Sequence, residues 1–139
     1  MLNFNRYSSL EVKGLAYEIV YEDNNVTHIL WHDVADILNN TIFIDGGIFY
    51  LTFGNIRDSV SEIMEHYRFN IKFEMKGILI MFYINHSAQN SFIKCAQKAI
   101  EEMTKIPEDV CEYFFWGWGY DDKLSENRIK LKVIVGYKD

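Results

Sequence analysis

The stretch Lys76-Gly-Ile-Leu-Ile-Met-Phe-Tyr-Ile-Asn-His-Ser-Ala-Gln-Asn-Ser-Phe-Ile-Lys-Cys-Ala-Gln-Lys-Ala-Ile-Glu-Glu-Met-Thr-Lys105 decides the fold. Ile78 to Ile84 are apolar without interruption, whereas a strand with one wet face alternates, so this run predicts a strand buried on both faces. After a polar link at Asn85 to Asn90, the period changes. Phe92, Ile93, Ala96, Ala99, Ile100 and Met103 fall at helical spacing, Asn90 or Ser91 offers an N-cap, and Pro107 provides a stop. A central strand feeding an amphipathic helix is the nucleus of an α+β domain.

Working outward, residues 1–9 read as a loose leader. Leu10 to Tyr21 read as a strand from the alternation of Leu15, Tyr17, Ile19 and Tyr21. Val26, Ile29, Leu30, Val34, Ile37 and Leu38 predict a helix over 26–38. Thr41 to Phe53 carry two β-rich runs about Asp45-Gly46-Gly47, the pattern of a hairpin. Asn55 caps a helix over 55–67, with Ile56, Val60, Ile63, Met64 and Tyr67 on its buried face. Phe69, Ile71, Phe73 and Met75 alternate as a half-exposed strand that Lys76-Gly77 turns into the central one. Beyond the helix over 91–105, Cys111 to Tyr120 and Arg128 to Val135 complete the strands. The expectation is one α+β domain spanning residues 1–139. It has a mixed sheet of five or six strands and three packed helices.

Composition narrows the function. A chain of 139 residues with 49% apolar and 24% charged residues is large enough for a core without metal or disulfides. Its net charge of −6, with no block of Lys or Arg, argues against nucleic acid and anionic membrane as partners. Cys95 and Cys111 form no C-x-x-C pair and read as buried thiols. With no charged-then-apolar leader and no long apolar run, the expected location is the cytoplasm.

Chemistry-bearing motifs are scarce. His28 and His32 are four apart on the predicted helix, the spacing of a two-histidine metal face; with no obvious third ligand beyond an approach in space by His66 or His86, they read as a solvated surface. No serine lies in a G-x-S-x-G turn, and neither cysteine has a catalytic setting. No metal, cofactor or catalytic residue is therefore expected. The unusual local feature is Phe114-Phe115-Trp116-Gly117-Trp118-Gly119-Tyr120. On a strand, Trp116, Trp118 and Tyr120 share one face, as a second core layer or a recognition strip. Gly117 and Gly119 on the other face invite close approach by a helix such as the one carrying Ala96 and Ala99. Asp121 and Asp122 follow in a turn, the position Asp favours for hydrogen-bonding nearby backbone.

From Gly77 onward the chain resembles the C-terminal domain of the FtsZ/tubulin family. The strand Gly77-Ile78-Leu79-Ile80 and the helix with Ala96 and Ala99-Ile100 are followed by Trp116-Gly117 through Asp121 to Leu124. That last run is similar to the family's F-G-x-x-x-D-x-x-L. The closing strand Ile129 to Gly136 is similar to V-x-V-T-V-I-A-T-G. Upstream, Gly47 to Ile56 are similar to the family's synergy loop, whose two aspartates serve nucleotide hydrolysis; here Thr52 and Asn55 hold those positions, and neither is a carboxylate. The family's glycine-rich phosphate loop is missing from the sequence. The resemblance over 77–136 therefore implies the C-terminal fold without nucleotide chemistry. What it implies is a non-catalytic protein-interaction module, engaging a partner protein or a second copy through Trp116, Trp118, Tyr120, Asp121 and Asp122. The alternative is a small acidic inhibitor or immunity-type protein that neutralises a basic enzyme by charge complementarity.

Overall fold

The computed structural model describes residues 2–69, 71–103 and 111–138. The described residues form an α+β domain with four α-helices, α1 (Ser9–Val20), α2 (Trp31–Leu38), α3 (Ile56–Phe69) and α4 (Gln89–Met103). Its four strands are β1 (Phe43–Thr52), β2 (Glu74–Ile84), β3 (Tyr113–Tyr120) and β4 (Arg128–Lys138). The strands form one mixed sheet in the order β1-β4-β2-β3. β4 runs antiparallel to both neighbours and β2 parallel to β3, so the carboxyl ends of β1, β2 and β3 lie at one end of the sheet.

The apolar run that organises the sequence lies inside the sheet as β2, and Ile78 to Ile84 are buried throughout. Period-two alternation divides them between two cores. Ile78, Ile80, Phe82 and Ile84 join Ile129, Leu131, Val133, Val135 and Tyr137 beneath α3 and α4. Leu79, Met81 and Tyr83 join Ile134 beneath α1 and α2. Helices therefore cover both faces, and a two-sided sheet needs the continuous apolar strand that the sequence shows.

The sheet has four strands rather than five or six, for three local reasons. Leu10 to Tyr21 form helix α1, not a strand. Ser8 Oγ accepts from the Glu11 amide at 3.1 Å while the Glu11 carboxylate accepts from the Ser8 amide at 3.0 Å, and Val12, Leu15, Ala16 and Ile19 recur at helical spacing on the buried side. Asp45-Gly46-Gly47 does not turn. Both glycines keep negative φ, and β1 passes straight through them because a Cβ on Gly46 would lie 2.5 Å from the Val133 carbonyl oxygen. Phe69 ends α3, residues 71–73 bend, and β2 begins at Glu74 with a register irregularity between Met75 and Gly77, so the described residues of this stretch form no separate strand.

Two helix boundaries also move. Residues 26–30 are not helical, because the Val26 and Thr27 amides donate to the Trp118 carbonyl at 2.9 and 3.0 Å and Asn25 bridges Gly119. Helix α2 begins at Trp31, where the Asp33 carboxylate accepts from the Leu30 amide. A 3-10 turn over His86–Ala88 leads into α4, with the Asn85 side chain accepting from Ser87 N. The expected stop at Pro107 lies outside the described residues. No described helix is long and apolar enough to cross a membrane.

Candidate interaction surface

The strip on β3 faces α4 and is half-buried. Trp116 meets Phe82 edge-on at 6.4 Å, and Trp118 tilts against Phe92 at 5.2 Å. Its two ring neighbours therefore make it a layer of the α3/α4 core with one edge left to solvent. Gly117 and Gly119 face the opposite side, and the close approach they permit comes from the 24–27 segment instead of from the helix bearing Ala96 and Ala99. A Cβ on Gly117 would meet Thr27 at 2.5 Å, and one on Gly119 would meet the Asn24 carbonyl oxygen at 2.8 Å.

Tyr120, Asp121 and Asp122 knit the carboxyl end of the sheet together. The Tyr120 ring stacks on His86 at 3.6 Å, and its hydroxyl bonds Gln89 Oε1 at 3.0 Å. Asp122 accepts from the His86 amide and lies 2.9 Å from His86 Nδ1. The His86 amide, reinforced by its ring, holds the Asp122 carboxyl below the usual range. Asp121 accepts from the Lys123 amide and from Lys130 Nζ. Burial alone would raise the Asp121 carboxyl, but those two donors outweigh it and its pKa is lowered. Asn85 Nδ2 donates to the Leu124 carbonyl at 2.9 Å, fixing the β3–β4 loop to the β2–α4 link. Each of these side chains already has an intramolecular partner, which limits how much it can give to another protein.

The two positions where the resemblance places carboxylates are also engaged. Asn55 Oδ1 accepts from the Thr52 amide at 3.1 Å and from the Thr52 hydroxyl at 2.8 Å, capping the entry to α3. His28 lies in the 26–30 segment while His32 lies on α2, so the two do not share a helix face; His32 contacts Asp33 at 3.2 Å. Among the described residues, no three His, Cys, Asp or Glu side chains group to hold a metal ion. Cys111 is buried, which raises its thiol pKa, and Cys95 is half-buried.

The largest exposed aromatic cluster is elsewhere, on the outer side of α1 and α2. Tyr17, Tyr21 and Trp31 are 58%, 57% and 42% exposed and contact one another, with centroids 4.5 Å apart for the tyrosines and about 6 Å from each to Trp31. Trp31 Nε1 donates to the Tyr21 hydroxyl at 3.0 Å. The cluster was missed in the sequence because reading 10–21 as a strand put Tyr17 and Tyr21 on the same face as Leu15 and Ile19. Helical spacing places Tyr17 and Tyr21 four apart on the side opposite Val12 and Ile19.

Comparison with known proteins finds the fold and nothing closer. No family model matches the sequence, and no curated protein matches it. A structure of FtsZ from M. jannaschii described as the W319Y mutant is similar over 90% of this chain at 17% identity and a TM-score of 0.64. An empty FtsZ dimer from M. jannaschii is similar over 90% of the chain at 15% identity and a TM-score of 0.57. These matches span only 36% and 35% of the FtsZ chains. They support an FtsZ-like C-terminal-type domain by fold, extending upstream of residues 77–136.

Proposed function

We propose that this domain is a non-catalytic protein-interaction module, and that Tyr17, Tyr21 and Trp31 are the centre of its docking surface. The observation carrying this reading is that three large, mutually contacting rings stand on the solvent side of the helices. Tyr and Trp dominate binding hot spots because they bury much area while losing little side-chain entropy. The half-exposed edges of Trp116, Trp118 and Tyr120, on the opposite face, offer a second and smaller contact. The similarity to one part of FtsZ supports a partner protein or a second copy as the occupant, since one of those structures is a dimer.

The non-catalytic assignment is supported by the partners that the polar side chains already have. Thr52 and Asn55 cap a helix, His86 is held by Asp122, and the Ser87 hydroxyl is spent on Asn85. The triple variant Tyr17→Ala/Tyr21→Ala/Trp31→Ala tests the reading against wild type by sedimentation equilibrium and by capture of binding proteins. At least one association should be lost with the far-UV spectrum unchanged; identical behaviour of the two forms retires the surface. The acidic-inhibitor alternative draws on the acidic clusters Glu22-Asp23 and Asp121-Asp122 and on the net charge of −6. Its mark would be an association rate with a basic enzyme that falls steeply with salt.

A further inference from the structure

At the carboxyl end of the sheet, the face that α1 and α2 cover farther along is left open. Cross-strand pairing sets Tyr50, Lys130 and Tyr83 in one row and Ile48, Lys132 and Met81 in the next. Period-two geometry sends both lysines to this face, since Ile129, Leu131 and Val133 point to the other. The lysines form the floor of a cleft of about 810 Å3, walled by Glu22, Asn24, Tyr50, His86, Tyr120 and the Asp121–Leu124 loop. Open sheets place ligand sites at this position, outside the carboxyl ends of parallel strands.

The floor is chemically unusual. The Lys132 side chain is 9% exposed, yet its ammonium has one hydrogen-bonding partner among the described residues. That partner is Glu18 at 3.4 Å, a long contact to a carboxylate 61% exposed. An ammonium carries three donors, and burying it without filling them is costly. Lys130 precedes it on the same face of β4, and the ammoniums of Lys130 and Lys132 stand 5.6 and 5.2 Å from the Tyr83 ring centroid. The Tyr83 hydroxyl is buried without a partner in hydrogen-bond geometry. Burial, then the charges of Glu22 and Glu18, push the phenol's pKa up; the nearby Asn25 side chain opposes this, though its oxygen stays outside hydrogen-bond geometry. The hydroxyl therefore stays neutral beside the two ammoniums.

We propose that this cleft binds a small monocarboxylate, with the carboxylate held by Lys132 and Lys130 above the Tyr83 ring. Glu18 is displaced at little cost because exposed ion pairs contribute weakly, while Asp121 keeps its hold on Lys130. Around the cleft, Lys123, Lys130 and Lys132 face Glu22, Asp121 and Asp122, with Glu18 on Lys132 as a fourth carboxylate. Only the charge that Glu18 supplies is there to be replaced, so one carboxylate takes over its place on Lys132, whereas a multiply charged anion adds charge to acidic walls. Tyr50 and Leu124 offer apolar surface to the body of the ligand, which favours an aromatic acid such as benzoate over acetate. The site does not depend on the docking surface proposed above.

The test is thermal unfolding with benzoate, acetate, succinate, phosphate and chloride at matched ionic strength. Benzoate should raise Tm by about 4 °C at tenfold excess over its Kd. Lys132→Met should weaken binding at least about tenfold and Lys130→Met about fivefold. Lys130→Met, at a position that is less buried, keeps the test decisive if Lys132→Met fails to fold. Shifts no larger than those with chloride, stronger binding of succinate or phosphate, or benzoate binding unchanged from wild type in both variants would overturn the assignment.

Discussion

His66 shows how one side chain couples the start of the chain to solvent pH. Its ring stacks on Phe4 at 4.0 Å and lies against Tyr67, and burial pushes its pKa below the ordinary 6.5, opposed only in part by Asp45. Because the folded-state value is depressed, the unfolded chain takes up the proton first as pH falls. The neutral ring's contribution is full above about pH 6.5 and is lost as pH drops toward the lower folded value. Urea midpoints should therefore fall between about pH 7.5 and 5.5, and His66→Phe should flatten that part of the profile. Gly136 supplies a sharper prediction. A Cβ there would lie 1.9 Å from the Ile37 carbonyl oxygen, so Gly136→Ala must push α2 off the sheet. A loss of about 3 kcal/mol or more, read as a lowered urea midpoint at unchanged slope, is expected.

At the scale of elements, α1 stands on its capping box. Ser8→Ala removes the acceptor for the Glu11 amide and should cost about 1 kcal/mol, or about 3 °C in Tm. The aromatic cluster rides on this helix, so the same variant should also raise the mobility of Tyr17 and Tyr21, measurable as side-chain relaxation. The signal for α1 was present in the sequence: Ser8-Ser9-Leu10-Glu11 has capping-box spacing, and Val12, Leu15, Ala16 and Ile19 follow at helical intervals. Alternation of Leu15, Tyr17, Ile19 and Tyr21 competed with it, since four alternating residues fit either period. The central strand was legible because an uninterrupted run of this length has few other homes. β1 was not, because Asp45-Gly46-Gly47 reads locally as a turn and only the close approach of β4, distant in sequence, shows why glycine is there. The 26–30 segment failed likewise: its helical pattern is real, but Val26 and Thr27 spend their amides on Trp118. Lys130 and Lys132 were legible as polar positions on a strand, whereas their meeting with Tyr83 needed the register of β4 against β2.

For the whole molecule, the covered edges of the sheet decide how it can meet other chains. The 24–27 segment hydrogen-bonds to β3 at Trp118 and Tyr120, occupying much of that edge. Along β1, the Tyr7 amide donates to Asp45 Oδ1 at 3.1 Å and the Phe4 ring lies 5.3 Å from that of Phe49. Unpaired edges recruit strands from other molecules, and a segment laid across the edge is one of the ways proteins prevent it. Strand addition is thus disfavoured along β3, while residues 4–7 touch β1 at Asp45 and Phe49; both fit the docking surface proposed at Tyr17, Tyr21 and Trp31. Removing residues 1–7 strips the guard from β1 while leaving Ser8 to cap α1. The trimmed chain should then self-associate at micromolar concentrations, with new intermolecular β signal in the infrared, and the triple aromatic variant should not suppress it. If the trimmed and full chains sediment alike across that range, the N-terminal segment does not guard the edge, and strand addition returns as a competing mode of association.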